Sequence, residues 1–372
     1  MKVSGMKDIF QRLNQYLAFV ILVVVVLYFG KAILIPVALG ALFSMLMAPV
    51  CRFLDKRGLN RGLSSFLCVF VILAVMLGML AIIGGQFAAF KKDYPKIKEK
   101  AITMVSQAQG YVEQRFGIEP EKQKQMAKEE AKKSSGNKGS FLTRIVGGLT
   151  STIGTLVLAL VCAFLMLYNK ERFEAFFLAL YKDHDEAKVK MVVRKIAEVS
   201  QKYLTGRVMS IGIIAAMYAV GLSLVGIKNA ILLAGVAAIM TLIPYLGTVL
   251  GGLIPVFMAL ATEDSIEPAL WAAGVLFFIQ TMDNYFIEPN VVGGEVNLNA
   301  LASILSVIAG GLLWGPAGMI IFLPVAGIIK IICDHVEPLR PISILIGESG
   351  GEKPSKIKLW LQQQFKKFTR KR

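Results

Sequence analysis

The chain has 372 residues, 55% of them hydrophobic, with a mean hydropathy of +0.62, gathered into apolar blocks too long for an ordinary soluble core. That excludes a soluble globular domain and makes the chain an all-α, polytopic helical membrane protein in contact with lipid. Its net charge of +16, from 41 Lys and Arg against 25 Asp and Glu, sits in loops and tails beside the spans, where the positive-inside bias accounts for it and no nucleic-acid partner is needed.

Residues 1–90 hold the first three expected spans. Lys2, Lys7 and Arg12 precede an apolar run as in a signal peptide, but no A-x-A site follows and a second run begins at once, so the first is read as a retained span. Tyr16 to Phe29 and Ala32 to Val50 are separated by Gly30-Lys31, which predicts a tight hairpin; the third span starts near Leu63 and reaches Phe90. The connection Cys51 to Gly62 carries Arg52, Lys56, Arg57 and Arg61 against Asp55. It is therefore expected in the cytoplasm, together with the N-terminus.

Over residues 91–144 the composition turns polar. Ile97, Ala101, Met104, Val105, Ala108, Val112 and Phe116 keep a helical period among Lys, Glu and Gln, the pattern of an amphipathic extramembrane helix. Ser134 to Gly139 reads as a linker. Residues 145–168 form a fourth span. Residues 169–207 are again charged and amphipathic, with Phe173, Phe176, Phe177 and Leu180 on one face and Val189, Val192, Val193, Ile196, Val199 and Tyr203 on another. They read as cytoplasmic interfacial helices.

Residues 208–333 are the expected transport core. A fifth span, Val208 to Gly226, and a later one, Ala269 to Ile287, accompany two long apolar segments, 230–261 and 300–330. A straight helix of about 32 residues would run to about 48 Å, against a hydrocarbon core of about 30 Å. Pro244-Tyr245-Leu246-Gly247 interrupts the first segment and Gly310-Gly311-Leu312-Leu313-Trp314-Gly315-Pro316 the second. Both read as re-entrant helical hairpins, giving six spans, or as broken crossings, giving eight. Irregular backbone at membrane depth needs protein or a cavity to satisfy its polar groups, so the two breaks point to a shared interior site. The basic tail, 334–372, is expected in the cytoplasm under either count.

Within the apolar blocks Asp283 stands out as an ionisable residue. A charge there costs about 3 kcal/mol on the lenient insertion scale, which places it on a polar interior face. Gln280, Asp283, Asn284 and Glu288 fall at i, i+3, i+4 and i+8, on one stripe suited to a cation, a proton or a polar solute. Gly251 and Gly252 read as close helix contacts, whereas Gly247, Gly310, Gly311 and Gly315 fit either contacts or tips that let backbone approach a ligand. Cys51, Cys68, Cys162 and Cys333 show no CxxC spacing and read as small apolar residues, with no metal or cofactor implied. No GxxxxGK[ST], HExxH or GxSxG occurs, so neither an ATPase loop nor a hydrolase is expected. The reading is a gradient-driven transporter; a non-transporting membrane scaffold is the remaining class.

The chain resembles the AI-2E, or autoinducer-2 exporter-like, transporters. The resemblance is carried by Tyr203-Leu204-x-Gly206, Ile243-Pro244-Tyr245-Leu246-Gly247 with Gly251, Gly252 and Pro255, Gln280-x-x-Asp283-Asn284 with Pro289 and Gly293, and Gly310-Gly311-x-x-Trp314-Gly315-x-x-Gly318 with Pro324 and Lys330. It implies a homo-oligomeric, pentameric inner-membrane protein with two helical hairpins per protomer, moving small solutes or ions. Members are assigned autoinducer-2 export or exchange of sodium or lithium for protons. Asp283 stands where the family often has Glu, and Asn299-Ala300 where it often has His-Pro. The two breaks and the polar stripe together give the expected solute or ion site: Pro244, Tyr245, Gly247, Gln280, Asp283, Asn284, Asn299, Gly310, Gly311, Trp314, Gly315 and Pro316.

Overall fold

A computed structural model of the chain describes residues 2–78, 81, 141–180, 186–243, 246–263, 265–292 and 297–348. Residues 91–140 of the expected amphipathic region, Pro244, Tyr245, Gly293 and the tail beyond Glu348 lie outside the described residues. Every regular element described is helical, with one isolated bridge between Leu298 and Gly347. Among the described residues, four helices are long and apolar enough to cross a membrane, or five with a bent pair counted as one span.

Helices α1 (Lys2–Phe29) and α2 (Lys31–Lys56) meet at Gly30. The expected tight hairpin is not formed there. The Gly30 N–H donates to Val26 O at 2.8 Å and the Leu34 N–H to Gly30 O at 2.9 Å, so the helical ladder passes through the junction. With φ −80° and ψ 0°, Gly30 departs from helical geometry by about 40° in ψ, enough for a bend and too little for a reversal. Two intervening residues are too few to turn a chain back when both keep their helical hydrogen bonds.

Helix α2 packs on α4 (Phe141–Tyr168) through small residues. A Cβ on Gly40 would lie 2.5 Å from Cys162 Cβ and 2.9 Å from the Ala159 carbonyl oxygen, and Ala159 and Ala163 are fully buried. Without a hydrophobic drive between helices in lipid, this close approach is what dispersion requires. Gly40→Leu should therefore force α2 and α4 apart at a cost of about 1–3 kcal/mol. A lowered melting temperature in detergent, beside an unchanged one for Gly154→Ala, where a Cβ meets nothing within 4 Å, checks it. At the far end Cys51, Cys68 and Leu167 cluster between α2, α3 (Arg61–Gly78) and α4. All four cysteines are free thiols, three of them buried.

Residues 170–176, at the start of α5 (Lys170–Leu180), are bent by 74° from Ile153–Tyr168 of α4. Lys170 pairs with Asp55 at 2.5 Å and Arg52 Nη2 donates to Gln201 Oε1 at 3.0 Å, which ties the end of α2 to α5 and α6. An open cleft of about 580 Å³ beside the bend is lined by Arg61, Tyr168, Glu171 and Arg172 among others. The Arg61–Glu171 pair across it is about 60% exposed, so it contributes at most about 1 kcal/mol.

Helix α6 (Glu186–Leu224) runs unbroken through residues 207 and 208, where the change in charge content had marked a junction. Gly206, Ser210, Ile214, Tyr218 and Leu222 are buried at every fourth position. That stripe meets α7 (Ala230–Met240) and α9 (Glu267–Met282) in a core built on Ala234, Ala237, Ala272 and Ile279. Helix α8 (Leu246–Thr262) closes it: a Cβ on Gly252 would meet Leu276 Cδ1 at 1.6 Å and the Tyr218 hydroxyl at 3.1 Å. After α9 come a π-helical segment (Asp283–Val292), α10 (Ala300–His335), a 3₁₀ turn (Glu337–Leu339) and α11 (Arg340–Ile346). Outward faces are apolar, with Val20, Phe70, Val157 and Phe277 more than half exposed. Lipid solvates such a surface and water does not.

Candidate transport site

Both interrupted segments fold back on themselves. In the first, α7 ends at Met240 and α8 begins at Leu246. A Cβ on Gly247 would fall 1.5 Å from the Met240 carbonyl oxygen, and one on Gly251 would fall 2.6 Å from that of Ala237. The two contacts move in opposite directions along the chain, so the arms are antiparallel and form hairpin 1. Pro244, in the sequence between the two arms, has no N–H with which to carry the ladder of α7 onward.

Hairpin 2 lies within α10, whose helical geometry fails at Gly315 (φ +62°, ψ −145°). Glycine tolerates that backbone, and a side chain does not. Gly310 and Gly318 then meet backbone to backbone: a Cβ on either would lie 2.3 or 2.0 Å from the other's carbonyl oxygen. Gly310 also faces Phe322 Cβ at 3.0 Å. In a straight helix, residues eight apart are about 12 Å distant. The arms 300–314 and 316–335 are thus about 22 Å and about 30 Å long. Trp314 sits at the turn, edge-on to Phe322 at 5.2 Å, and its Nε1–H donates to Leu27 O of α1 at 2.8 Å. The aromatic at this break anchors the hairpin to the N-terminal helix.

A third feature is the crossing of α6 over the π-helical segment. Gly206 makes it possible: a Cβ there would lie 2.4 Å from Val291 O and 2.8 Å from Val292 Cα. One residue on, Arg207 donates from Nη2 to the carbonyl oxygen of Thr241, where α7 ends. Asp283 is buried, with 4% of its surface exposed. Arg207, Ser210 and Glu288 are the polar neighbours that act on its carboxylate, and the Tyr218 hydroxyl feels its charge. Asp283 Oδ1, Ser210 Oγ and Arg207 Nε are all buried without a hydrogen-bond partner. Each of the three therefore has hydrogen-bonding capacity unused, a costly arrangement in a packed interior. π-Helical turns often occur at functional sites, because the wider turn re-aims side chains.

The expected stripe is divided. Asp283 turns inward, while Gln280 Nε2 donates to Asn284 Oδ1 at 3.1 Å and Asn284 is exposed. The change from α to π geometry at Asp283 resets which positions share a face. Glu288, one π-turn on from Asp283, remains within its electrostatic reach although exposed. Asn299 serves the local backbone. Its Oδ1 accepts from the Ala302 N–H at 2.8 Å as the N-cap of α10, and its Nδ2 donates to Leu345 O at 2.7 Å and Gly347 O at 3.2 Å. Gly310, Gly311, Gly315 and Pro316 belong to hairpin 2, with Gly311 against Met319. Gly247 belongs to hairpin 1, and Pro244 and Tyr245 lie outside the described residues. The structure ties Arg207 of α6 to Thr241 of hairpin 1, and the Arg207 charge acts on Asp283; neither Arg207 nor Thr241 was singled out by the sequence. The signal was present in the spacing: Tyr203, Arg207 and Ser210 share a face once α6 is continuous.

A profile described as AI-2E family transporter matches residues 17–337. The chain belongs to the AI-2E family. It is 24% identical over 328 residues to the AI-2 transport protein TqsA of Escherichia coli K12, covering 87% of this chain and 92% of that protein. YhhT of the same strain, which carries a provisional transport-protein name, is 21% identical over 335 residues, 89% of this chain and 93% of its own. YueF of Bacillus subtilis, named in the same way, is 23% identical over 312 residues, 81% and 84% of the two chains. Membership makes this chain one of a family of membrane transporters, and the matched range includes both AI-2E hairpins and the Asp283 crossing.

Proposed function

We propose that the chain is a secondary transporter that moves a small polar solute, of the kind named for TqsA, across the inner membrane by alternating access, with the two hairpins re-entrant and serving as gates. Loop 51–62 and the tail 334–372 face the cytoplasm, and the chain assembles as a homo-oligomer, a pentamer by family resemblance. One observation bears on the choice of solute: the positive charge of Arg207 acts on Asp283 from beyond ion-pair distance, and Asp283 Oδ1 keeps an unused acceptor site. Arg207 therefore opposes a bare cation at Asp283, while leaving hydrogen-bonding capacity for a solute that carries hydroxyls. Glu288 supports the second reading, Na⁺ or Li⁺ exchange for protons, because it brings a second carboxylate within reach of Asp283.

Flux in proteoliposomes separates the two. Vesicles loaded with autoinducer-2 should lose it faster with the protein than without. An imposed Na⁺ gradient should leave an internal pH dye unmoved. Sodium-driven pH change without solute loss would overturn the polar-solute reading in favour of antiport, and no flux of either kind would favour the scaffold.

A further inference from the structure

The cleft beside the bend lies apart from the transport site, and two helices start on it, α3 at Arg61 and α5 at Lys170. Asn60 Oδ1 accepts from the Leu63 N–H at 2.8 Å and Asn60 O from the Ser64 N–H at 3.0 Å, which leaves the Arg61 and Gly62 N–H groups ahead of the ladder. Asn169 O accepts from the Arg172 and Phe173 N–H groups at 2.9 and 3.3 Å, the same arrangement at the start of α5. A Cβ on Gly62 would meet Tyr168 Cε2 at 3.9 Å, so α3 begins against the end of α4, where α5 leaves it. Arg61, Arg172 and Glu171 bring charge to the lining. Arg61 and Glu171 are joined twice, Nη1 to Oε2 at 2.8 Å and Nη2 to Oε1 at 2.6 Å. Arg172 has no ion pair among the described residues, so the lining keeps a positive charge unmatched.

Depth in the membrane decides which anion fits. With α4 crossing the bilayer, the 74° bend carries α5 close to the membrane plane, and the cleft falls at headgroup level. Exposed apolar faces lead away from it along both spans: Phe66 and Phe70 follow Gly62 at intervals of four on α3, and Val161, Leu165 and Tyr168 share a face of α4. Phe173 continues that surface on α5. A free anion has no use for such walls, whereas a lipid lays its chains on them. We propose that the cleft binds the phosphodiester of an anionic phospholipid, with Arg172 as its cation, Arg61 shared between the phosphate and Glu171, and the acyl chains along Phe66, Phe70 and Leu165. Guanidinium forks match phosphate oxygens. Sharing Arg61 costs little, because its pair with Glu171 is exposed. The lipid site uses neither hairpin nor Asp283, and it stands independently of what the chain transports.

Native mass spectrometry of the full-length protein in detergent, titrated with dioctanoyl phosphatidylglycerol, tests the site. Arg172→Gln should bind this lipid about fivefold more weakly, the share of one basic side chain at a membrane surface, and Arg172→Lys should stay within about twofold of wild type. Glu171→Gln should bind it about fivefold more tightly, since Arg61 is then given wholly to the phosphate. A damaged fold cannot produce that direction. Lys228→Gln removes an exposed charge away from the cleft and should leave the affinity unchanged. Dioctanoyl phosphatidylcholine, with the same chains and no net charge, should bind about fivefold more weakly than phosphatidylglycerol. Wild-type affinity in Arg172→Gln or in Glu171→Gln would overturn the lipid site. So would an equal loss in Lys228→Gln, which marks attraction by overall charge, or equal binding of the two lipids, which marks attraction by chains alone. Inorganic phosphate that displaces phosphatidylglycerol at equal concentration would overturn it in favour of a free anion, and a changed oligomeric mass in Arg172→Gln in favour of a second copy of the chain.

Discussion

Gly318→Val is expected to spring hairpin 2 open. A Cβ on Gly318 would lie 2.0 Å from the Gly310 carbonyl oxygen and 2.6 Å from its carbon. Both are backbone atoms, so no side chain can rotate away. Overpacking of a well-filled contact costs about 1–3 kcal/mol, and this site belongs at or above the top of that range. Gly315→Ala strains the turn itself and should cost about 1–3 kcal/mol through its positive φ. Thermal unfolding in detergent reads both, with Gly235→Ala, where a Cβ meets nothing within 4 Å, as the reference. Equal melting temperatures for Gly318→Val and Gly235→Ala would mean that the arms of α10 do not pack on one another.

The second large effect concerns charge. Asp283→Ala removes the buried acid on which the Arg207 charge acts and should cost about 1–3 kcal/mol, the range for leaving a buried polar group unsatisfied. The lower end applies, because Thr241 O still accepts from the guanidinium. Arg207→Ala should be destabilising for the converse reason, with an acid left uncompensated. The double variant Asp283→Ala/Arg207→Ala should then be more stable than the sum of the two single losses, by a coupling of about 0.5–3 kcal/mol. Additive losses in urea or thermal unfolding would show that the two residues do not form one electrostatic unit.

Much of this arrangement was legible in the chain. Helical periodicity and apolar length identified the membrane elements, and Pro244 and Gly315 marked where two of them had to stop. The glycine pairs were harder. Spacing of four, as in Gly311 and Gly315, is the familiar mark of contact between helices, whereas the pair that closes hairpin 2 is Gly310 and Gly318, eight apart, which makes sense only after the reversal. The charge rule also misled locally. It ended a loop at Arg207 and began a span at Val208, although Arg207 continues the same helix and only its guanidinium is polar. Asp283 therefore looked solitary in sequence, and the positive charge that acts on it lay one residue outside an assumed boundary. Asn299 could have been read correctly from its place immediately before an apolar helix, where Asn is a favoured N-cap. The bend at Gly30 was missed because glycine permits both a turn and a near-helical joint.

Solute efflux from proteoliposomes carrying wild-type protein or Asp283→Asn tests the site most directly. With the two proteins matched in amount and in gel-filtration profile, the variant should release autoinducer-2 about tenfold more slowly or less, the loss due to one hydrogen bond to a charged group. Efflux at the wild-type rate from Asp283→Asn would show that the solute passes elsewhere, and would remove the buried acid and its arginine from the transport path.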